Sequence, residues 1–373
     1  MEAAPPPLWF LLVTQADPIT CDYPTVVPGT REAMLNGMMR QPVRARSRRA
    51  LCDALVAACL ALTGCAAGQH TTWADPAPSE VPLASASGSA SPSPSPSPSP
   101  SASRSASAAP GAATGGVPRF DHIVIAVFEN HGYDQVIGGG KAPYLNQLAN
   151  RGALLTNSHG VTHPSQPNYL AMFSGSAHGV SDDSCPRDIA GTANLGSQLA
   201  AAGLTFAGYS EGMPSTGYRG CGGGDRYARK HNAWVDFTVL PASVNRTFAD
   251  FPADHASLPT VSFVVPNLCN DMHDCSVSTG DSWAQANLDP YVRWAAGHNG
   301  LLIVTWDEDE NTGGSPASGG HIPTIFAGAH VTPGSRYTAT VDHYGVLRTV
   351  EAAYGLPGLG AAGSRRPVTG IWR

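Results

Sequence analysis

The sequence has few charged residues and no hydrophobic run long enough to cross a membrane. Charged residues make up 13% of the 373-residue chain, and the formal net charge is −6. No block of Lys and Arg lies in the part expected to fold, which argues against a nucleic-acid partner, because such binding depends on neutralising phosphates. The apolar run "ALVAACLAL" (54–62) is much shorter than the roughly 20 residues that a transmembrane helix needs.

The sequence also lacks any C-x-x-C pair, the spacing that is typical of zinc sites. Four of the eight cysteines lie at or before residue 65, which leaves an even number in the region expected to be exported. Two disulfides are therefore favoured over a zinc site, and the preferred pairing is Cys185 with Cys221 and Cys269 with Cys275.

Residues 39–65 have the layout of a secretory signal. Arginines precede the short apolar run, and small residues follow it. Leu62 to Cys65, "LTGC", resembles a bacterial lipobox, which predicts a lipidated Cys65 and a membrane anchor; an ordinary cleaved signal peptide is the alternative. Residues 1–38 show no such signal and are interpreted as a mis-assigned leader. The protein is thus expected to be exported, and either lipid-anchored on the extracellular face of the membrane or secreted.

Residues 66–116 are rich in Ser, Pro and Ala, with the repeat "SPSPSPSPSP". Such a composition offers nothing to bury, so this segment is predicted to be a disordered linker between the anchor and the enzyme. The folded catalytic domain is predicted to span residues 117–373.

Near-continuous apolar strand patterns alternate with amphipathic helix patterns from residue 117 onward. The strands are predicted at 122–129, 204–209, 260–265, 300–306 and 321–327, and the helices at 143–151, 166–174, 194–202, 284–297 and 342–354. This alternation predicts a three-layer α/β/α sandwich with a mostly parallel central sheet. In such folds the functional groups gather at the carboxyl ends of the strands.

Two of the predicted strands end in oxygen-bearing side chains. Glu129 and Asn130 follow the first strand, and Asp307 and Glu308 follow the strand "LLIVTW". Adjacent carboxylates repel one another unless a cation is present, and oxygen ligands suit a hard divalent ion. A metal site is favoured over the alternative, a solvated acidic loop.

Ser165 lies just ahead of a predicted helix in "SHGVTHPSQPNYLAMFSG", with Pro167 suited to the first turn. A helix N-terminus favours a phosphate or an alkoxide, but Ser is also a common N-cap, and the local sequence favours the cap. His163, two residues earlier, fits a surface loop equally well.

Two further segments carry candidate histidines. In "VPNLCNDMHDCSVSTGDSW" a disulfide between Cys269 and Cys275 would hold a polar loop that contains Asp271 and His273 in a fixed position. A polar turn without a chemical role is the alternative. His321, at the start of a strand, is more often structural than catalytic.

Together these segments resemble a family of bacterial and fungal phosphoesterases that contains acid phosphatases and phosphatidylcholine-type phospholipases C, with a fold related to that of alkaline phosphatase. Six pieces occur in the family's order across residues 120–357: "HIVIAVFENHGYDQVIG", "HPSQPNYLAMFSG", "VPNLCNDMHDCSVSTGDSW", "LLIVTWDEDEN", "GGHIPTIFAG" and "DHYGVLRTVEAAYGLP". His131 and Tyr169 stand where the phospholipase branch has Arg, so the acid phosphatase branch is the more similar one.

The resemblance implies a role for each candidate residue. A divalent metal would be bound by Glu129, Asn130, Asp307 and Glu308. Ser165 would be the nucleophile, activated by the metal, two residues ahead of the family's Pro-Asn pair, whose Asn is Asn168. The histidines near the reacting phosphate would be His163, His273 and His321.

The function expected from these features is that of an exported phosphomonoesterase of the acid phosphatase type, which forms a phosphoserine intermediate with a phosphorylated small molecule. A phospholipase C or another phosphodiesterase with the same site is the main alternative. A lipoprotein that binds phosphorylated ligands without turnover is a remote one, because such a site needs no nucleophile.

Overall fold

The computed structural model describes residues 116–311 and 319–373. The interpretations of the leader, the signal peptide, Cys65 and most of the linker lie outside these residues. Within them the chain forms eleven strands: β1 His122–Phe128, β2 Ala153–His159, β3 Phe206–Ser210, β4 Gly222–Gly223, β5 Tyr227–Ala228, β6 Asn245–Thr247, β7 Val261–Val265, β8 Gly300–Trp306, β9 His321–Gly328, β10 Ser335–Tyr337 and β11 Val341–Asp342.

Nine of the strands in the described residues form one sheet, in the order β10-β2-β9-β8-β1-β7-β3-β6, with β11 also paired to β2. The pairs of β1 with β7 and β8, and of β3 with β6 and β7, are parallel. Strand β9 runs antiparallel to both β8 and β2. The predicted mostly parallel sheet is confirmed, and the carboxyl ends of β1, β2, β3, β7 and β8 meet at one edge.

Seven α-helices in the same residues cover the two faces of this sheet: α1 Tyr133–Val136, α2 Pro143–Arg151, α3 Ser165–Ser174, α4 Leu195–Ala201, α5 Ala233–Asp236, α6 Val277–Ala295 and α7 His343–Ala353. Alternate side chains of β1 enter two cores. Ile125 and Val127 belong to the core with α3, α4, α5 and α7, whereas Val124 and Ala126 belong to the core with α1, α2 and α6. The fold is therefore the predicted three-layer sandwich.

Most predicted boundaries lie within two residues of the observed ones, and α2 matches fully. Helix α6 begins at Val277 rather than at residue 284, because the side chain of Ser276 accepts a hydrogen bond from the N–H of Thr279 and starts the helix earlier. Strand β2 was not predicted; its sequence "ALLTNSH" is apolar only in its first half. No helix of the described part of the chain is long and apolar enough to span a membrane.

Candidate active site

The site lies at the edge where the parallel strands end. Glu129 follows β1, Asp307 and Glu308 follow β8, and the loop after β2 leads into the N-terminus of α3 at Ser165. Gly160 allows this loop to approach closely, because a Cβ there would lie 2.7 Å from the carbonyl oxygen of Asp307. Residues far apart in sequence thus meet because their strands share one direction.

Ser165 is the first residue of α3 and is almost fully buried. Its hydroxyl lies 3.0 Å from Oε2 of Glu129 and 3.4 Å from Oε1 of Glu308, both of which accept its hydrogen bond. The N-cap position is occupied by Pro164, so the interpretation of Ser165 as a cap is wrong. The hydroxyl instead points toward two carboxylates that can take its proton.

Glu129 is fully buried and lies among several polar groups. Its Oε1 accepts a hydrogen bond from the hydroxyl of Tyr169 at 2.5 Å and lies 3.2 Å from Nε2 of His231. Burial, together with the charges of Asp307 and Asp271, raises the pKa of Glu129 well above its usual value. An ionised Glu129 therefore needs a compensating positive charge.

Glu129, His231 and Asp271 form a cluster with the spacing of a metal site. Their ligand atoms lie within 4.8 Å of one another, and all three side chains are buried. Nδ1 of His231 is 3.5 Å from Oδ2 of Asp271. Burial raises the pKa of Asp271 well above its usual value and lowers the pKa of His231 well below it. The imidazole is thus held neutral, the form that coordinates metals.

The predicted ligands Asp307 and Glu308 lie beside this cluster. Burial and the charge of Glu308 raise the pKa of Asp307 to about 8, and burial and Asp183 raise the pKa of Glu308 to about 7. Asn130 adopts a left-handed conformation with φ of 59°, and its backbone N–H donates to Oδ1 of Asp307 at 3.1 Å. The structure therefore brings the predicted carboxylates together, with Asn130 attached to one of them through its backbone.

These residues fit a divalent cation. Oδ2 of Asp307 and Oδ2 of Asp271 are buried without a hydrogen bond, which is costly for a carboxylate unless a cation binds it. Four buried carboxylates and one neutral imidazole supply the oxygen and nitrogen ligands that divalent metals bind.

The predicted catalytic residues occupy three different kinds of position. Nδ1 of His163 contacts Oε2 of Glu308, beside Ser165. His273 is partly exposed, its ring centroid lies 5.9 Å from that of His231, and its Nδ1 lies 2.8 Å from Oδ1 of Asp274. Asn168 is buried under the loop before α3, where its Oδ1 accepts from the N–H groups of Val161 and Thr162.

His321 lies in a neighbouring cavity. Its ring stacks on Tyr133 with centroids 4.4 Å apart, and its Nε2 bonds to the carbonyl oxygen of Thr156 at 3.1 Å. Together with Tyr133 and Asp309 it lines a space of about 320 Å³. These contacts do not join His321 to Ser165, and its predicted place near the reacting phosphate stays a prediction.

Sequence reasoning missed His231 and the contact made by Tyr169. His231 ends a single 3₁₀ turn, Arg229–His231, whose sequence has no strand or helix pattern that would place it at the sheet edge. Its ring stacks on Tyr169 at 5.1 Å. Tyr169 itself stands in a matched motif, but its sequence position alone did not indicate that it reaches Glu129.

Both predicted disulfides are confirmed, and each holds a loop of the site. Cys269 and Cys275 join the ends of the loop that carries Asp271 and His273. Cys185 is joined to Cys221, in the segment that leads to His231. The loops are therefore fixed covalently before any ligand arrives.

A mostly parallel α/β sheet with a buried serine, carboxylates and histidines at its carboxyl edge has the parts of a hydrolase active site, and the similar proteins are enzymes that act on phosphoric esters. The chain belongs to the phosphoesterase family, whose sequence profile matches residues 139–357. It is 46% identical over 264 residues to the phosphatidylinositol-3-phosphatase of Mycobacterium tuberculosis. The aligned residues cover 70% of this chain and 86% of that protein.

A fungal relative and a solved structure are also similar. The phosphate-repressible acid phosphatase of Penicillium chrysogenum is 32% identical over 234 residues, which cover 58% of this chain and 55% of that protein. The chain therefore spans about half the length of this fungal relative. A structure in the alkaline phosphatase superfamily from Vibrio parahaemolyticus superposes with a TM-score of 0.49 at 15% identity, covering 65% of this chain and 68% of that one.

Proposed function

We propose that this protein is an exported, metal-dependent phosphomonoesterase of the acid phosphatase type that forms a phosphoserine intermediate. The observation that supports this most directly is the position of Ser165, buried at the start of α3 with its hydroxyl donating toward Glu129 and Glu308. A serine with nearby carboxylate acceptors at a helix N-terminus has the features of an activated nucleophile.

In the first step Oγ of Ser165 forms a bond to phosphorus as the bond from phosphorus to the leaving oxygen breaks. The serine proton passes to Glu129 or Glu308, the carboxylates that already accept its hydrogen bond. The N-terminus of α3 offsets the negative charge that develops on the phosphoryl oxygens. A divalent cation bound by Glu129, Asp271, His231, Asp307 and Glu308 would keep these carboxylates ionised and polarise a phosphoryl oxygen.

A histidine then supplies the proton for the leaving alkoxide. His273 is suited to this role, because its Nδ1 lies 2.8 Å from Oδ1 of Asp274, a contact that orients the imidazole ring. His163, in contact with Glu308, is placed to move a proton next to Ser165. Water attacks the phosphoserine in the second step, which releases inorganic phosphate and restores the serine hydroxyl.

The proposal favours monoesters over diesters, since the curated relatives are named as phosphatases. The name of the M. tuberculosis relative adds phosphatidylinositol 3-phosphate to the substrates worth testing. Phospholipase C activity is the alternative that a substrate panel has to separate.

Export is supported by the two disulfides, because such bonds persist in oxidising compartments. Attachment through Cys65 is supported by the lipobox-like "LTGC" alone. Mass spectrometry of the mature N-terminus decides between a lipid anchor and an ordinary cleaved signal peptide. A diacylglyceryl group on Cys65 is expected, and an unmodified N-terminus elsewhere excludes the anchor.

The central experiment combines metal analysis of the purified protein with a panel of p-nitrophenyl phosphate, its phosphorylcholine ester and phosphatidylinositol 3-phosphate. Divalent metal bound in the protein, faster turnover of monoesters and covalent phosphate on Ser165 after acid quenching are expected. Faster hydrolysis of the diester, or turnover without phosphate on Ser165, contradicts the proposal.

A further inference from the structure

Lys230 is a positively charged residue beside the acidic cluster, and it has no role in the proposed catalytic mechanism. The sequence contains two lysines, Lys141 and Lys230, and the second directly precedes His231. Its side chain is 21% exposed, and its Nζ lies 2.8 Å from Oδ2 of Asp183.

Asp183 connects this lysine to the nucleophile's own helix. Oδ2 accepts from Lys230, while Oδ1 accepts from the backbone N–H of Gln166 at 2.9 Å, directly after Ser165. The carboxylate thus bridges the ammonium group and the first turn of α3. Because an ammonium group has three N–H donors, the bond to Asp183 uses one and leaves donor capacity for a ligand.

A phosphate monoester brings two negative charges to a site that already contains the four carboxylates of Glu129, Asp271, Asp307 and Glu308. A fixed cation on the protein lowers this electrostatic cost and attracts anionic ligands. Lysine is a common phosphate ligand in proteins, where it acts as a compact point charge.

We propose that Lys230 binds the phosphoryl group of the substrate and of the phosphate product, and that Asp183 is the residue that positions it beside Ser165. The inference rests on the proposed phosphomonoesterase function. The disulfide between Cys185 and Cys221 supports it, since it joins the Asp183 loop to the segment that leads to Lys230.

The test compares the variants Lys230→Gln, Lys230→Arg and Asp183→Asn with the wild-type holoenzyme. Lys141 is exposed, and the variant Lys141→Gln is the matched control. The inhibition constant of inorganic phosphate and the KM and kcat for p-nitrophenyl phosphate are measured. Lys230→Gln is expected to raise the phosphate inhibition constant and KM by at least about tenfold, the cost of a lost charged hydrogen bond. Arginine restores part of this loss, Asp183→Asn shows a smaller rise in both constants, and Lys141→Gln matches the wild type.

A wild-type phosphate inhibition constant in Lys230→Gln overturns the role of Lys230. Tighter phosphate binding by Asp183→Asn shows that Asp183 competes with phosphate and overturns its positioning role. Should the wild type turn over no monoester, the proposed function fails, while calorimetric titration of wild type and Lys230→Gln with inorganic phosphate still decides the role of Lys230.

Labelling of the wild type gives a readout that does not depend on a substituted protein folding. An amine-reactive reagent can modify only the two lysines and the N-terminus, and peptide mapping separates these sites. Inorganic phosphate is expected to protect Lys230 and leave Lys141 fully reactive. Equal labelling of Lys230 with and without phosphate contradicts the proposal.

Discussion

The hydroxyl of Tyr169 donates a hydrogen bond to Oε1 of Glu129 at 2.5 Å, and Nδ1 of His131 lies 3.0 Å from the backbone carbonyl oxygen of the same residue. Tyr169 and His131 are the two positions at which this chain departs from the phospholipase pattern, which has Arg at both. Both departures therefore contact one residue, Tyr169 at the carboxylate of Glu129 and His131 at its backbone carbonyl. An arginine at position 169 would place a full positive charge against Glu129, where this chain has a neutral donor.

Replacing Tyr169 with phenylalanine tests this contact. The hydrogen bond from Tyr169 lowers the pKa of Glu129 against the larger effect of burial, so its loss makes the carboxylate a poorer cation ligand. The affinity for the divalent cation is expected to fall about 10- to 100-fold, as is typical when a partner of a metal ligand is removed. Titration of the metal-free protein with the divalent cation, followed by calorimetry, measures the change in affinity.

Tyr291→Phe is the control for this substitution. Its buried hydroxyl also donates to protein oxygens, the carbonyls of His122 and Leu301, but lies away from the acidic cluster. It should lower thermal stability without changing cation affinity. Equal affinity losses in both variants would show that Tyr169 acts only through general stability.

Ser165→Ala should reduce turnover of p-nitrophenyl phosphate by at least about 10³-fold, because it removes the attacking oxygen. The hydroxyl is small and its partners are carboxylates, so the fold should persist with a near-normal circular dichroism spectrum. Ser174→Ala removes a buried hydroxyl from the other end of the same helix, where it bonds to the carbonyl of Leu170. That variant should keep its activity; a Ser165→Ala protein with comparable turnover would exclude Ser165 as the nucleophile.

His231→Gln tests the cluster that the sequence did not reveal. The substitution removes an imidazole nitrogen that lies 3.2 Å from Glu129, so the content of bound divalent metal should fall below half of the wild-type value on elemental analysis. The exposed His298 provides the comparison, and His298→Gln should keep full metal content. Wild-type metal content in His231→Gln would exclude His231 from the metal ligands and leave the four buried carboxylates.

The raised pKa values predict how stability depends on pH. Carboxyl groups in the unfolded chain titrate near pH 4, whereas in the native protein the pKa of Asp307 is raised to about 8 and that of Glu129 is also raised. Between these values the native state binds more protons than the unfolded state, so the free energy of unfolding falls as pH rises. The histidines with lowered pKa values, such as His231, oppose this trend in part near pH 6.5, where the unfolded chain still holds protons on them, and no longer do so above about pH 7.5.

Chelator-treated protein should therefore lose thermal stability as pH increases from about 6.5 to about 8. A divalent cation stabilises the ionised carboxylates, so its addition should flatten the slope and raise the melting temperature most at the upper end. Scanning calorimetry with and without cation measures both effects. A stability that rises over this pH range in the metal-free protein would contradict the prediction that the native state binds more protons than the unfolded state.

The sequence predicted the elements whose pattern is unambiguous. Strands β1 and β8 are apolar at nearly every position, and their polar ends at Glu129 and Asp307 could be assigned to one sheet edge from direction alone. Ser165 was found only through the resemblance to the family, since its local sequence suggests a cap. His231 could not be found, because its position depends on how an irregular segment packs against Tyr169, a contact that no local pattern encodes.

The pairing of β1 with β8 also has a consequence for how the protein folds. The hydrogen bond between the backbone amide of Asn130 and the carboxylate of Asp307 joins residues separated by 177 positions, which follow two neighbouring strands of the sheet. Such distant contacts form slowly, because a long loop must close before they contribute. The acidic cluster is therefore completed only when the centre of the sheet is assembled. Cation uptake during refolding should accordingly be a late event, which marks chains that have finished folding.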